Sequence, residues 1–311
     1  MLNSIEIFKN LKLPIVFAIF DAGSANHIVS WIKRAKLAPI FICAEGPAKL
    51  IVSKNLPAIN LAADIEKALD MSLTLISGSG WQSNFEYEAI SLANEKKIHS
   101  IAVLDHWINY KSRLTRNGKL ALPNEIWITD NYAKEIAEKE FPNINCNVQP
   151  NFYLDDFLLR VNNLPKKINL KNTLNILYVL EPIINLKNTQ EYSEFEALDY
   201  FIENIYTILN DKSMKLIITL RLHPSESKDK YDSWIKNNSH QTILLDKESS
   251  LEQLISSADA IFGRNSYALA LGIHAGKKVI SAIPPPFSQC ILPYLNILRL
   301  NELIEKKETI L

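Results

Sequence analysis

The sequence lacks the features that define several large functional classes. It carries no net charge, since 34 lysines and arginines balance 34 aspartates and glutamates over 311 residues. Proteins that work mainly by general attraction to nucleic acid carry a basic excess, so we expect no nucleic-acid partner. No stretch approaches the roughly 20 apolar residues that cross a bilayer. Neither phosphate-binding glycine pattern, GxxxxGK[ST] or GxGxxG, follows a strand-like run.

Cysteine is scarce and dispersed. Cys43, Cys146 and Cys290 lie far apart and match no zinc spacing, which argues against both a disulfide framework and a metal site. The six histidines form no His-x-x-His pair, and no G-x-S-x-G nucleophile elbow is present. We therefore predict no metal and no resident cofactor. Cysteines without a pairing pattern suit a reducing cytoplasm.

What the chain does have is a regular alternation of short apolar runs and helix-like segments. Apolar runs at 14–20, 39–44, 73–79, 98–105 and 125–130 are separated by segments such as SNFEYEAISLANEKK. This order is typical of an open parallel sheet with helices on both faces. The first run resembles a signal peptide in its flanking lysine and small residues, but its short length favours a buried first strand.

The alternation breaks once and then restarts. Residues 152–173 are charged and contain Pro165, which predicts a linker or an interdomain crossover. Strand-like runs then follow at 174–182, 215–224, 241–246, 259–264, 277–285 and 296–300. We predict an α/β protein of two Rossmann-like doubly wound domains facing a cleft, with an N-terminal domain over 1–160 and a C-terminal domain over 161–311.

A tight polar turn precedes a helix in the segment FGRNSYALALGIHAGKKVIS. Asn265 or Ser266 stands at the helix N-cap, and the unpaired N–H groups of the first turn favour a phosphate or a carboxylate. Arg264 adds a charge that can bind such a group through two hydrogen bonds. The same turn also fits a well-capped helix with a surface arginine.

This segment and the strand before it resemble the nucleotide-binding half of glycosyltransferases with the two-Rossmann GT-B architecture. RLHP at 221–224 resembles the His-Pro motif of bacterial sialyltransferases and of capsule or teichoic-acid-type transferases. The strand–Ser–helix–Gly-Lys unit follows in the family order, about 40 residues later. The resemblance covers about residues 174–300, and the N-terminal half matches only as architecture.

The resemblance implies that the C-terminal domain binds the nucleotide-activated donor. His223 would contact the nucleotide or its phosphate, Pro224 would fix the turn, and Ser266 would bind the phosphate at the helix N-terminus. Arg221 would be an auxiliary cation on the same side of the strand as His223. The family has paired serines where this chain has Asn265 and Ser266, which leaves the identity of the donor open.

Polar and small residues also follow three strands of the N-terminal domain, and the carboxyl ends of such strands meet at one edge. They are Asp21, Gly23, Ser24, Asn26 and His27 after the first, Gly78, Gly80, Trp81 and Glu86 after another, and Asp105, His106 and Trp107 after a third. Small residues leave room for an acceptor, and either tryptophan can stack on the apolar face of a sugar. In the C-terminal domain Glu181, at the first strand end, is placed to bind a ribose.

An inverting sugar transfer needs a base that takes the proton of the acceptor hydroxyl. In the GT-B architecture that base comes from the N-terminal domain, so its strand ends supply the candidates. We place Asp105 first, Asp21 second and His106 third. The leaving phosphate would be stabilised by a helix dipole, arginine and histidine in place of a metal.

We therefore predict a metal-independent glycosyltransferase of surface polysaccharide or lipopolysaccharide synthesis. Its donor would be a nucleotide-activated sugar, with a CMP-linked acidic sugar preferred, and its acceptor a glycan or lipid-linked glycan. We expect a bacterial cytoplasmic location, either free or at the surface of the inner membrane. Two alternatives remain: a nucleotide-sugar epimerase or hydrolase of the same architecture, and a non-catalytic nucleotide-sugar-binding protein.

Overall fold

The structure is a computed structural model that describes residues 7–35, 40–165, 172–181, 192–223, 226–227, 229–287 and 290–310. The chain divides into two compact units, Met1–Asp155 and Asp156–Leu311. The boundary predicted at 160/161 and the acceptor and donor roles of the two halves stay predictions. Within the described ranges, no helix is long and apolar enough to cross a membrane.

The first unit is built around a parallel sheet of six strands. Strands β2, β1, β3, β4, β7 and β8 pair in that order, and β5 and β6 form a separate short hairpin. Its elements are β1 Ile15–Ile19, α1 Ala22–Ala35, β2 Ile40–Ala44, α2 Gly46–Asn55, α3 Ile65–Asp70, β3 Thr74–Ser77, α4 Phe85–Glu95, β4 His99–Val103, α5 Tyr110–Arg113, β5 Thr115–Arg116, β6 Lys119–Leu120, β7 Glu125–Ile128, α6 Asn131–Glu140 and β8 Asn145–Val148. Helix α7, Phe152–Asn163, follows and runs across the boundary between the two units.

The second unit repeats this plan with another parallel sheet of six strands. The order is β11, β10, β9, β12, β13, β14, which is the 3-2-1-4-5-6 order of dinucleotide-binding folds. Its elements are β9 Thr173–Val179, α8 Glu194–Asn204, a 3₁₀ helix Ile205–Ile208, β10 Lys215–Arg221, α9 Asp232–Asn237, β11 Thr242–Asp246, α10 Leu251–Ser257, β12 Ala260–Gly263, α11 Tyr267–His274, β13 Lys278–Ser281, β14 Ile297–Arg299 and α12 Leu300–Lys306. The predicted pair of Rossmann-like α/β domains is confirmed.

The central strands are apolar because helices cover both of their faces. All five residues of β1 are buried, and Phe17 packs in one cluster with Trp31 of α1 and Trp127 of β7. The Trp31 indole N–H is satisfied by the carbonyl of Pro150 at 2.8 Å. Strands that are buried on both faces have continuous apolar sequences, and these apolar runs are what predicted the strands correctly.

Of the two interpretations of residues 152–173, a linker is wrong for the first half, and an interdomain crossover stays a prediction. Residues Phe152–Asn163 form α7, in which Phe157 and Val161 are buried. These two residues lie four apart and so share one helix face. The charged residues occupy the other faces, and Arg160 Nε donates to Glu252 Oε1 at 2.7 Å. Residues 166–171 lie outside the described part of the chain.

Each sheet contains a point where successive connections leave in opposite directions. In the first unit this point lies between β1 and β3, and in the second between β9 and β12. Open α/β sheets bind ligands in the crevice at such switch points, at the carboxyl ends of the strands. Most of the residues predicted from the sequence follow these four strands or β4, the neighbour of β3.

Candidate functional site

The β1–α1 and β3–α4 connections meet at the switch point of the first sheet. Asp21 directly precedes α1, and its Oδ1 accepts a hydrogen bond from the Gly23 amide at 3.2 Å. Glu86, in the first turn of α4, is 1% exposed. Its Oε1 accepts from the Phe20 amide at 2.8 Å, and its Oε2 accepts from the Gly80 amide. Glu86 therefore ties the end of β1 to the end of β3.

Two acids at this point hold protons more tightly than exposed carboxyls do. Burial raises the pKa of Glu86 to about 7, against the opposing effect of its backbone donors. Burial, followed by the negative charge of Asp105, raises the pKa of Asp21. Carboxyls with raised pKa values in a crevice are typical of acid–base chemistry.

Asp105 lies in a contrasting environment. Its Oδ1 accepts from Arg113 Nη1 at 2.8 Å, and both side chains are at least nine-tenths buried. Burial favours the neutral acid, but the charge of Arg113, then those of His106 and His27, hold the pKa of Asp105 below its ordinary value. Asp105 is therefore an ionised carboxylate at neutral pH. The raised pKa of Asp21 makes it the better candidate of the two for proton transfer, and the identity of the base stays a prediction.

Glycines make room for these carboxyls. A Cβ at Gly23 would lie 1.7 Å from Asp105 Oδ2, and a Cβ at Gly78 would lie 1.9 Å from Glu86 Oε1. Both distances are far below van der Waals contact, so any side chain at either position would displace a carboxyl. The small residues seen in the sequence therefore accommodate the acids of the protein itself.

The other predicted residues of this unit differ in exposure. Ser24 is buried and donates to the Asp21 carbonyl at 3.2 Å, while Asn26 is partly exposed on α1. Trp107 is 5% exposed, and its indole N–H donates to Asp130 Oδ2 at 3.0 Å. Trp81 is 37% exposed, so more of its side chain is accessible for stacking than that of Trp107. The His106 ring lies 5.2 Å from that of Trp107.

Arg113 was not named from the sequence, and Glu86 and His27 were named only among the residues that follow the strands, without a role. Glu86 and Arg113 lie on helices and reach back to the strand ends, a placement that follows no short motif. His27 is 2% exposed, and its Nδ1 has no hydrogen-bond partner among the described residues. Burial lowers the pKa of His27 to about 4, so its imidazole is neutral at pH 7. The usable signal was spacing, since Glu86 follows the SGSG turn and His27 follows Asp21.

At the switch point of the second sheet, the ends of β9 and β12 are bound to each other. Glu181 Oε2 accepts from the Asn265 amide at 3.0 Å, and Arg264 Nη1 donates to the Glu181 carbonyl at 3.3 Å. Arg264 Nε also donates to the Tyr192 hydroxyl at 2.9 Å, with the guanidinium 4.9 Å from the centre of that ring. The predicted residues Glu181, Arg264 and Asn265 are thus brought together.

Helix α11 begins at this point. Ser266 is its N-cap and accepts from the Ala268 amide at 3.3 Å. Asn265 has a different task, because its Oδ1 accepts from the Ile291 amide at 3.0 Å. Of the two candidates for the N-cap, Ser266 therefore fills the position, and the Asn265 side chain instead stabilises the loop that contains Ile291.

The end of β10 carries the stretch RLH. Arg221 Nη1 lies 3.4 Å from Asp246 Oδ1 on the edge strand β11. The Arg221 guanidinium is therefore paired on the side of the sheet edge. Burial lowers the pKa of His223, and its backbone N–H donates to Glu226 Oε2 at 3.3 Å. His223 is thus a neutral imidazole at neutral pH. Pro224 lies outside the described residues.

No group of three or more histidine, cysteine, aspartate or glutamate side chains is arranged to hold a metal ion in the described ranges. The expectations of no metal and no cofactor stay predictions.

Comparison with known proteins supports the fold. No protein-family model and no curated protein matches the sequence. The UDP-GlcNAc 2-epimerase of Neisseria meningitidis bound to UDP-GlcNAc is similar with a TM-score of 0.60 and 12% identity, over 94% of this chain and 90% of that one. The Methanocaldococcus jannaschii UDP-GlcNAc 2-epimerase in complex with UDP-GlcNAc and UDP is similar with a TM-score of 0.57 and 12% identity, over 86% of this chain and 83% of that one. The S. aureus MnaA structure with UDP is similar with a TM-score of 0.59 and 11% identity, over 86% of this chain and 79% of that one.

These likenesses show that the chain has the GT-B-like fold of two Rossmann-like domains, as the sequence predicted. The finer resemblance to sialyltransferases, through the His-Pro motif, stays a prediction.

Proposed function

We propose that this protein is an enzyme that acts on a nucleotide-activated sugar, and that epimerisation of a UDP-linked sugar describes its reaction better than glycosyl transfer. The observation that carries the proposal is the group of carboxyls at the first switch point, in which Asp21 has a raised pKa and Asp105 a lowered one. The epimerases named above, which share the fold, act on UDP-GlcNAc and so favour a UDP-linked substrate.

The chemistry fits these groups. Inverting carbon 2 means that its proton leaves from one face as the C1–O bond to UDP breaks, so that the electron pair of the C–H bond forms a C1–C2 double bond. UDP then adds back at carbon 1 while a proton arrives at carbon 2 from the opposite face. One group must accept a proton and another must donate one, and both work best with pKa values near the working pH. Asp21 would exchange the proton, while Asp105, kept ionised by Arg113, would stabilise positive charge that develops on the sugar.

The second unit would hold the nucleotide. In this proposal the α11 N-terminus capped by Ser266, together with Arg264, binds the phosphates, since unpaired N–H groups and a guanidinium favour an anion. Glu181 binds the ribose hydroxyls, and neutral His223 donates to a phosphate or to the base. Arg221 supports that strand end, and the diphosphate charge is met without a metal.

Glycosyl transfer is the second candidate function, favoured by the order of RLHP and GRNS along the chain. That reaction would use a CMP-linked acidic sugar and a glycan or lipid-linked glycan acceptor, with Asp105 or Asp21 as base and Trp81 against the acceptor. It would take place in the cytoplasm or at the inner membrane surface. It differs from epimerisation in requiring the acceptor for turnover.

The discriminating experiment incubates the protein with UDP-GlcNAc in EDTA and with no acceptor, and follows the sugar by proton NMR. The proposal expects a second UDP-linked epimer to appear. Release of UDP and free sugar would indicate a hydrolase. Turnover of CMP-linked sugar only when a glycan acceptor is added would favour transfer. A rise in melting temperature with UDP and no turnover of any donor would favour a binding protein.

A further inference from the structure

The short hairpin of β5 and β6 is a part of the first unit to which the proposed function gives no role. Arg116 on β5 pairs with Lys119 on β6. The two residues between them, Asn117 and Gly118, both have positive φ, at 51° and 74°. Positive φ at both central positions is the conformation of a tight two-residue hairpin turn. The turn thus holds Arg116 in a defined strand conformation.

The Arg116 guanidinium binds two segments of the chain at once. Its Nη2 donates to the carbonyls of Gly80 at 2.9 Å and Ser83 at 2.8 Å, and its Nε donates to Asn84 Oδ1 at 3.0 Å. These three acceptors lie in the connection between β3 and α4. Its Nη1 donates to carbonyls around the end of α5, among them that of Arg113 at 3.3 Å. One side chain therefore joins the β3–α4 connection to α5.

Each of the two joined segments contacts one acid of the first switch point. Gly80 lies against Asp21, since the point that a Cβ at Gly80 would occupy is 3.1 Å from Asp21 Cβ. Arg113 Nη1 donates to Asp105 Oδ1 at 2.8 Å. The Arg116 guanidinium therefore reaches each acid through one intervening residue.

We infer that Arg116 is a positioning residue, which fixes the separation of Asp21 and Asp105 by joining the two segments that contact them. The inference rests on the proposed roles of the two acids in the reaction of a nucleotide-activated sugar. Arginine suits this task because its five N–H donors form a rigid planar fork, whereas the three donors of lysine share one nitrogen.

The test compares Arg116→Met and Arg116→Lys with Lys119→Met, an exposed position directly across the hairpin. Methionine keeps an unbranched stem without donors, and lysine keeps the charge without the fork. A further variant, Gly118→Val, leaves Arg116 in the chain but strains the positive φ of the turn. A Cβ at Gly118 would meet no described atom within 4 Å, so this change acts through the backbone.

The first readout does not depend on turnover: a carbon-13 NMR titration of the Asp21 carboxyl, assigned with Asp21→Asn. Burial and then the charge of Asp105 raise the pKa of Asp21. Loosening the two segments would hydrate this carboxyl and move it away from Asp105, so both causes weaken. We expect the titration to move to lower pH in Arg116→Met, by less in Arg116→Lys, and to stay at the wild-type position in Lys119→Met.

The second readout separates positioning from stability. With UDP-GlcNAc, Arg116→Met is expected to lower kcat by about 10- to 100-fold, as misplaced reacting groups do. The affinity for UDP should stay at the wild-type value, because the second unit would hold the nucleotide. Arg116→Lys should recover part of the lost kcat. Urea unfolding of each variant identifies assay conditions in which every protein is folded, so a loss of stability alone would leave kcat unchanged.

An Asp21 titration at the wild-type position in Arg116→Met would overturn the inference, and so would a wild-type kcat in that variant. If Arg116→Met does not fold, Arg116→Lys and Gly118→Val replace it, with the same directions expected at smaller amplitude. If the wild-type protein converts no nucleotide sugar while the Asp21 titration still moves, the proposed function fails and the positioning of Asp21 by Arg116 stands. The two failures are thus distinguishable.

Discussion

At the scale of single residues, the Asp105–Arg113 pair is the interaction with the largest expected energetic consequence. Both side chains are at most one-tenth exposed, and their charged atoms are 2.8 Å apart. Removing one partner of a buried ion pair leaves the other charge without compensation, which destabilises a protein by about 3–5 kcal/mol. The pair also keeps Asp105 ionised, so its loss would alter stability and chemistry together.

We predict that Arg113→Met and Asp105→Asn each lower the free energy of unfolding by about 3–5 kcal/mol. The double variant should be less destabilised than the sum of the two, since no buried charge is left without a partner. Urea unfolding of all four proteins in a double-mutant cycle measures this coupling. If the two losses of unfolding free energy are strictly additive, Asp105 and Arg113 have no measurable interaction energy, which would contradict the prediction.

Which of these residues could be predicted depends on the element that carries them. Asp21, Asp105 and Ser266 directly follow strands or begin a helix, so the rule that ligands bind at the carboxyl ends of strands was enough to select them. Glu86 and Arg113 reach the same place from helices α4 and α5. Glu86 was named from its place after the SGSG turn, but its contact with the end of β1, like the position of Arg113, is set by how the helices pack, which no local pattern encodes.

At the scale of elements, helix α11 offers a direct test of the second crevice. Its cap, Ser266, accepts from the Ala268 amide, just as Ser250 caps α10 by accepting from the Gln253 amide. Replacing either N-cap by alanine is expected to lower the free energy of unfolding by about 0.5–2 kcal/mol. The two serines therefore form a matched pair, because only Ser266 lies at the switch point.

We predict that Ser266→Ala weakens UDP binding by about tenfold, the equivalent of roughly 1.4 kcal/mol, whereas Ser250→Ala leaves it unchanged. Isothermal titration calorimetry with UDP on both variants gives the comparison. Equal affinities in the two variants would place the phosphate elsewhere.

The tie that Glu86 makes between β1 and β3 also predicts a pH dependence of stability. The pKa of Glu86 is about 7 in the folded protein and near its ordinary 4.5 when unfolded, so the folded state binds the extra proton between these values. Stability from this group is therefore complete below about pH 4.5 and is lost as pH rises toward 7, by about 1.4 kcal/mol per unit. His27 acts in the opposite sense, because its pKa of about 4 makes folding release a proton.

The difference between wild type and Glu86→Gln isolates the Glu86 contribution, since His27 is common to both. We expect the stability of wild type relative to Glu86→Gln to decline steadily from pH 4.5 to 7 and to level off above. Urea unfolding at half-unit pH steps, with Glu88→Gln as control, measures it. If the unfolding free energies of wild type and Glu86→Gln change with pH in parallel, Glu86 does not contribute the predicted pH dependence.

The elements themselves were largely predictable, and the exception is instructive. Buried strands such as β1 are uniformly apolar and stand out from amphipathic helices. Helix α7 buries only Phe157 and Val161, so its charged faces dominated the sequence pattern and indicated a linker. A helix with a narrow apolar face cannot be told from a polar connection without its packing partners.

At the scale of the whole molecule, the sequence predicts the fold better than it predicts the reaction. The α/β alternation predicted two Rossmann-like units, and both six-stranded sheets and the likeness to GT-B-like epimerases confirm that. The same architecture serves epimerases and transferases, so the fold cannot select the reaction. The motifs that suggested transfer lie in the second unit, whereas the proposed reaction depends on the acids of the first.

The measurement that tests the central claim most directly is solvent exchange at the sugar. The protein is incubated with UDP-GlcNAc in D₂O, without acceptor, and carbon 2 of the sugar is observed by NMR and mass spectrometry. If Asp21 and its neighbours remove and return a proton, deuterium enters at carbon 2, and Asp21→Asn slows that entry by about 100-fold or more. A UDP-GlcNAc pool that stays unlabelled at carbon 2, under conditions where UDP binding is established, would contradict the account.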